Sequence, residues 1–102
     1  MHLIQIFLPV LDNHDRAFPK EHFARIRETL TTKFGGLTAY NRAPAEGLWK
    51  DKQNAAHHDE SVILEVMAKE LDGPWWQAYK QQLKHMFSQD AIIIRVQKIL
   101  LL

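Results

Sequence analysis

Apolar residues recur along the chain with two periods, and each period marks its own elements. Between His2 and Leu8, Ile4, Ile6 and Leu8 alternate with Leu3, Gln5 and Phe7. A period of two is that of a strand with side chains on opposite faces. Pro9 breaks the alternation, and residues 9–18 read as a polar loop centred on Asp12-Asn13-His14-Asp15-Arg16. The period then changes. Phe23, Ile26, Leu30 and Phe34 recur at spacings of three, four and four, the stripe of an amphipathic helix. Pro19 suits the first helical position, where an N–H is not needed. Lys33 suits the negative end of the helix dipole, and Gly35 can take the left-handed conformation that closes a helix.

Alternation returns three times. In 37–42, Leu37 and Ala39 oppose Thr38, Tyr40 and Arg42. In 61–68, Val62, Leu64 and Val66 oppose Ile63, Glu65 and Met67. In 91–98, Ile92, Ile94 and Val96 oppose Ile93, Arg95 and Gln97. Before this last strand, Asp72 is a good N-cap, and Pro74 falls in the first turn of a second helix. Its stripe is Trp76, Tyr79, Leu83, Met86 and Phe87. Residues 43–60 form a long connection with room for a short strand near 48–50; connections of that length are often functional.

The order is β-α-β-β-α-β. Right-handed crossovers place both helices on one side of a single antiparallel sheet, with strands one and three central. The expected fold is α+β: a ferredoxin-like sandwich with a four-stranded antiparallel sheet and two helices on one face. The strand faces separate accordingly. Ile4, Ile6, Leu8, Leu37, Ala39, Val62, Leu64, Val66, Ile92, Ile94 and Val96 form a wholly apolar set that belongs under the helices. The opposite face mixes Leu3, Phe7, Ile63, Met67 and Ile93 with Gln5, Thr38, Tyr40, Arg42, Glu65, Arg95 and Gln97. It is too apolar for a solvated face and too charged for a dry one. A second subunit lying on this open face reconciles the two. The C-terminal Ile99-Leu100-Leu101-Leu102 adds apolar surface to the same argument.

In topology and patterning, though in no catalytic motif, the chain resembles the dimeric α/β-barrel superfamily, whose members pair sheet face to sheet face. They include cofactor-independent monooxygenases, muconolactone-isomerase-like enzymes and haem-degrading enzymes. The resemblance implies a homodimer and a small-molecule ligand. It carries no site residue over, because none matches residue by residue. The strand faces offer no histidine for haem except His2 at the edge, and His2 stands where a tautomerase would have its catalytic proline.

Composition narrows the field. One domain spans the 102 residues; they are 46% hydrophobic and 25% charged, with a net charge of +1. That charge and its scatter speak against nucleic acid as a partner. The absence of cysteine excludes disulfides, zinc–cysteine sites and thiol nucleophiles. No run is long enough to span a membrane and no signal peptide is recognisable, so the expected location is the cytoplasm.

Candidate chemistry lies on the open face. Gln5, Glu65 and Arg95 fall on adjacent strands. Glu65 is the candidate proton acceptor, tuned by Arg95, with Tyr40 or Arg42 to hold an anionic or carbonyl group. The competing reading is a structural ion pair at a dimer interface, which perturbs a carboxylate as readily. Trp49, in the long connection, is a further binding candidate, as a lid or a dimer contact; Glu46 lies near it. His57 or His58 with a loop carboxylate, in the run His57-His58-Asp59-Glu60, is the first place to look for a metal; Asp12, His14 and His22 lie near the other end of the first strand. Their spacing matches no metal motif, so neither metal nor cofactor is expected. Gly35-Gly36 follow a helix rather than lead into one, which excludes a phosphate loop. Of the Trp75-Trp76 pair, Trp76 belongs in the core, and Trp75 covers the sheet edge or a partner. The function this supports is binding of a small organic molecule, as a cofactor-independent enzyme of monooxygenase or isomerase type. The alternative is a dimerisation module whose open face its partner fills.

Overall fold

Strand alternation and helical stripes produce the elements in the expected order. The computed structural model describes residues 1–42 and 61–102. They form β1 (His2–Pro9), α1 (Lys20–Phe34), β2 (Thr38–Arg42), β3 (Ser61–Ala68), α2 (Gly73–Met86) and β4 (Ile93–Lys98). The four strands make one sheet in the order β2-β3-β1-β4, and every pairing is antiparallel. This is the ferredoxin-like arrangement, with the first and third strands central. Among the described residues, no helix is long and apolar enough to cross a membrane.

The helix ends follow local chemistry. Pro19 stands at the N-cap of α1 rather than inside it, with φ −56° and ψ 140°. Gly35 closes the helix in the left-handed conformation at φ 80°, its N–H donating to the Thr31 carbonyl at 2.8 Å. Asp72 caps α2 by accepting the Trp75 N–H at 3.1 Å, with a proline in the first turn.

Both helices cover one sheet face. Ile26 and Leu30 of α1, and Trp76, Tyr79 and Leu83 of α2, pack on Ile4, Ile6, Leu8, Leu64 and Val66. Two aromatic clusters seal the ends of this layer. Phe87, fully buried after α2, meets Phe18 edge-on at 4.8 Å and Phe23 at 5.5 Å. At the other end Trp75 stacks on Tyr79 at 4.8 Å and meets Trp76 edge-on at 4.8 Å. Trp75 thus joins the core layer, and Lys33 lies over its ring at 4.6 Å.

Not all of the apolar set is under cover. Val96 shares a cross-strand row with Ile4 and Val66, yet it is 42% exposed where they are 0% and 3%. Ala39 on β2 is exposed as well. These residues face the helix side but lie outside the packed cluster, which Ile94 of β4 still joins. The 9–18 loop is more ordered than a polar stretch implies. Leu11 bridges Ala17, Phe18 N–H donates to the Val10 carbonyl at 3.1 Å, and Asp15 turns the chain at φ 59°.

Candidate functional site

Strand register assembles the open face. Thr38 pairs with Glu65, Glu65 with Gln5, and Gln5 with Arg95. One row therefore crosses all four strands and carries most of the polar groups of the face. The neighbouring row is Tyr40, Ile63, Phe7 and Ile93. Ile63 belongs to the open side but is only 7% exposed.

Glu65 is the hub. The Gln5 side-chain amide donates to its Oε1 at 2.6 Å, and the Tyr40 hydroxyl donates to its Oε2 at 3.2 Å. Gln5 lies directly opposite Glu65, whereas Tyr40 reaches it diagonally from the next row, as long side chains can. The hydrogen bond to Glu65, then the carboxylate's charge and a little burial, raise the Tyr40 pKa above 10.0. Its hydroxyl is therefore a donor at neutral pH. Tyr40 is 48% exposed, and Gln5 and Glu65 are half-buried.

Arg95 sits one strand beyond Gln5. Its guanidinium carbon lies 4.5 Å from the Phe7 ring centroid, a cation–π contact. The structure thus brings Gln5, Tyr40 and Glu65 together and sets Arg95 on Phe7. Arg42 enters as the last residue of β2, opposite Ser61. Trp49, Glu46, His57 and His58 lie outside the described residues.

The other candidates resolve into structure. The Asp12 carboxylate accepts the backbone N–H groups of His14 at 2.8 Å and Arg16 at 3.0 Å. Those bonds, Arg16's first, lower its pKa below 3.8. It organises a turn. His22 stacks on Phe18 at 6.1 Å and meets Phe87 edge-on at 5.6 Å. Among the described residues, no three His, Cys, Asp or Glu side chains group as a metal site.

One feature escaped the sequence. A cleft of about 270 Å³ opens where the end of the sheet meets the 9–18 loop and the turn before β4; Phe7, Leu11, Asp15, Ser61, Gln89 and Ile93 line it. The turn-forming run Asp12-Asn13-His14-Asp15 was its only signal.

No protein-family model matches the chain, and no curated protein matches it. Among solved structures, a phage SAM lyase in complex with S-methyl-5'-thioadenosine is similar, with a TM-score of 0.59 and 16% identity. The match covers 95% of this chain and 80% of the lyase. At that identity the likeness is one of fold alone, and it agrees with the ferredoxin-like arrangement of the sheet and helices.

Proposed function

We propose that the open sheet face binds a small organic molecule in a homodimer, with Glu65 as the anchor. One observation carries the reading: on a sheet face of mixed apolar and polar residues, both oxygens of one carboxylate are held by the neutral donors Gln5 and Tyr40. Two fixed donors orient the carboxylate without cancelling its charge, as a polar anchor in a small-molecule site requires. Glu65 is then the proton acceptor, and Tyr40, kept protonated, its positioning partner. This chemistry fits an isomerase-like or cofactor-independent enzyme. A protein of the same fold, the phage lyase, is complexed with a thioadenosine.

The competing reading is a face filled by a second subunit without ligand. It is favoured by exposed Met67 at 48% and Ile93 at 56% on the same face.

Titration with S-methyl-5'-thioadenosine, followed by backbone amide NMR, tests the proposal. Shifts should centre on Gln5, Tyr40 and Glu65. Glu65→Gln should weaken binding about tenfold or more, the worth of a hydrogen bond to a charged group. The absence of any response, or shifts confined to the cleft by Leu11 and Gln89, refutes it.

A further inference from the structure

We infer that the Glu65 site is composite: Arg95 of a second copy lies against Glu65, the two subunits being related by a two-fold axis along β1. The inference rests on the open-face reading above and adds its geometry. A two-fold interface must be complementary to itself. The polar row is built for this. Glu65 on β3 and Arg95 on β4 stand on either side of Gln5 on β1, all three in register. Strands are spaced at about 4.8 Å, so each charge lies one spacing from Gln5. Rotation about an axis that follows β1 carries β3 onto β4 of the facing copy. Glu65 then meets Arg95, Arg95 meets Glu65, and Gln5 meets Gln5. An axis lying across the strands instead stacks Glu65 on Glu65 and Arg95 on Arg95, opposing like charges twice.

The neighbouring row agrees. The same rotation lays Ile93, 56% exposed in the single chain, on Ile63 of the other copy, and Phe7 on Phe7. Among the described residues, Arg95 rests on the Phe7 ring and on no carboxylate. Its guanidinium is thus parked on the face that the second copy covers. The order β2-β3-β1-β4 adds a consequence. With the axis on β1, three strands of each sheet overlap and β2 projects past the partner's edge strand. Tyr40 remains at an open rim, and Glu65 stays reachable from the β2 side. A ligand entering there meets a carboxylate from one subunit and a guanidinium from the other. The site favours neutral polar or zwitterionic molecules, which can donate to Glu65 while accepting from Arg95.

Charge exchange between subunits tests this. Sedimentation equilibrium should show a wild-type dimer. Glu65→Arg and Arg95→Glu should each weaken it tenfold or more, since each sets like charges against one another. Mixing the two single variants should restore dimers, because every facing pair is again opposite in sign. The double variant E65R/R95E should dimerise alone. Arg95→Gln, which cannot repel, should weaken the dimer less than Arg95→Glu, and circular dichroism should show all variants folded. A wild-type monomer, single variants as tight as wild type, or a mixture that stays monomeric overturns the inference. Restoration in the double variant alone, without the mixture, shows pairing within one chain and overturns it too. A monomer whose Gln5 and Glu65 amides still respond to S-methyl-5'-thioadenosine removes the composite site and leaves the ligand reading. A dimer with the exchange pattern but no such response does the reverse.

Discussion

Two adjacent glycines offer a controlled measurement of what the turn between α1 and β2 costs. Gly35 has φ 80°; Gly36 lies outside the left-handed region. A methyl group added at either meets no atom within 4 Å, so alanine differs between the two sites only through the backbone. Alanine removes unfolded-state freedom at both positions, a gain of about 0.4–1 kcal/mol where the conformation is compatible. At Gly35 it also pays the left-handed penalty of about 1–2 kcal/mol for an L-residue. The common entropy gain cancels in the comparison. Gly36→Ala should therefore be neutral to slightly stabilising, and Gly35→Ala should lie about 1–2 kcal/mol below it. For a domain of this size each kcal/mol moves Tm by about 4–8 °C. Urea unfolding with a shared m-value, backed by thermal melts, measures the gap. Coincident midpoints would refute a left-handed Gly35 and with it the angle at which α1 delivers the chain to β2 and Tyr40.

Two further predictions address the site and the core. The two tyrosines both hold their protons above pH 10.0, Tyr40 through Glu65 and Tyr79 mainly through burial, against a hydrogen bond to Thr29 that pulls the other way. For Tyr79 the folded pKa exceeds the unfolded one, so its contribution is whole below about pH 10 and is lost as pH rises through the folded value. Ultraviolet titration of Glu65→Gln should lower one tyrosine step and leave the other; if neither moves, Tyr40 does not bond Glu65. Phe87→Ala removes a fully buried ring in contact with Phe18, His22 and Phe23 and should cost about 3–5 kcal/mol by urea unfolding, a loss near zero showing that the cluster is not packed.

The fold was legible because its signals are local. Period two, period three to four, Gly35, Asp72 and Pro74 each act within a few residues, and each appears where its chemistry requires. The division of faces was legible for the central strands, since alternation alone decides it. The face of Val96 was legible too, but its exposure was not, because cover depends on what packs above it, and no spacing encodes that. The polar row was legible only as a set of residues on one face. Which of Gln5, Tyr40 and Arg95 touches Glu65 depends on register, which two strands distant in sequence fix only when they pair. A pairing of Glu65 with Arg95 looked natural from charge, yet Gln5 stands between them in the sheet.

That intervening strand gives the open face its character. Among the described residues, the hydrogen bonds to Glu65 come from the neutral groups of Gln5 and Tyr40, which position the carboxylate without opposing its charge. The cation of the same row is engaged with the Phe7 ring on the far side of β1. That row is therefore polarised across β1, negative at Glu65 on β3 and positive at Arg95 on β4. Had Arg95 paired with Glu65 in the same chain, the row would be satisfied and would select nothing. Because it does not, whatever settles there, ligand or second copy, is stabilised only if its own charges are arranged in the opposite sense. Dispersed apolar contacts from Phe7, Met67 and Ile93 would supply area without direction. In the proposed site, selection would rest on the opposite charges of Glu65 and Arg95, which flank Gln5 in one cross-strand row.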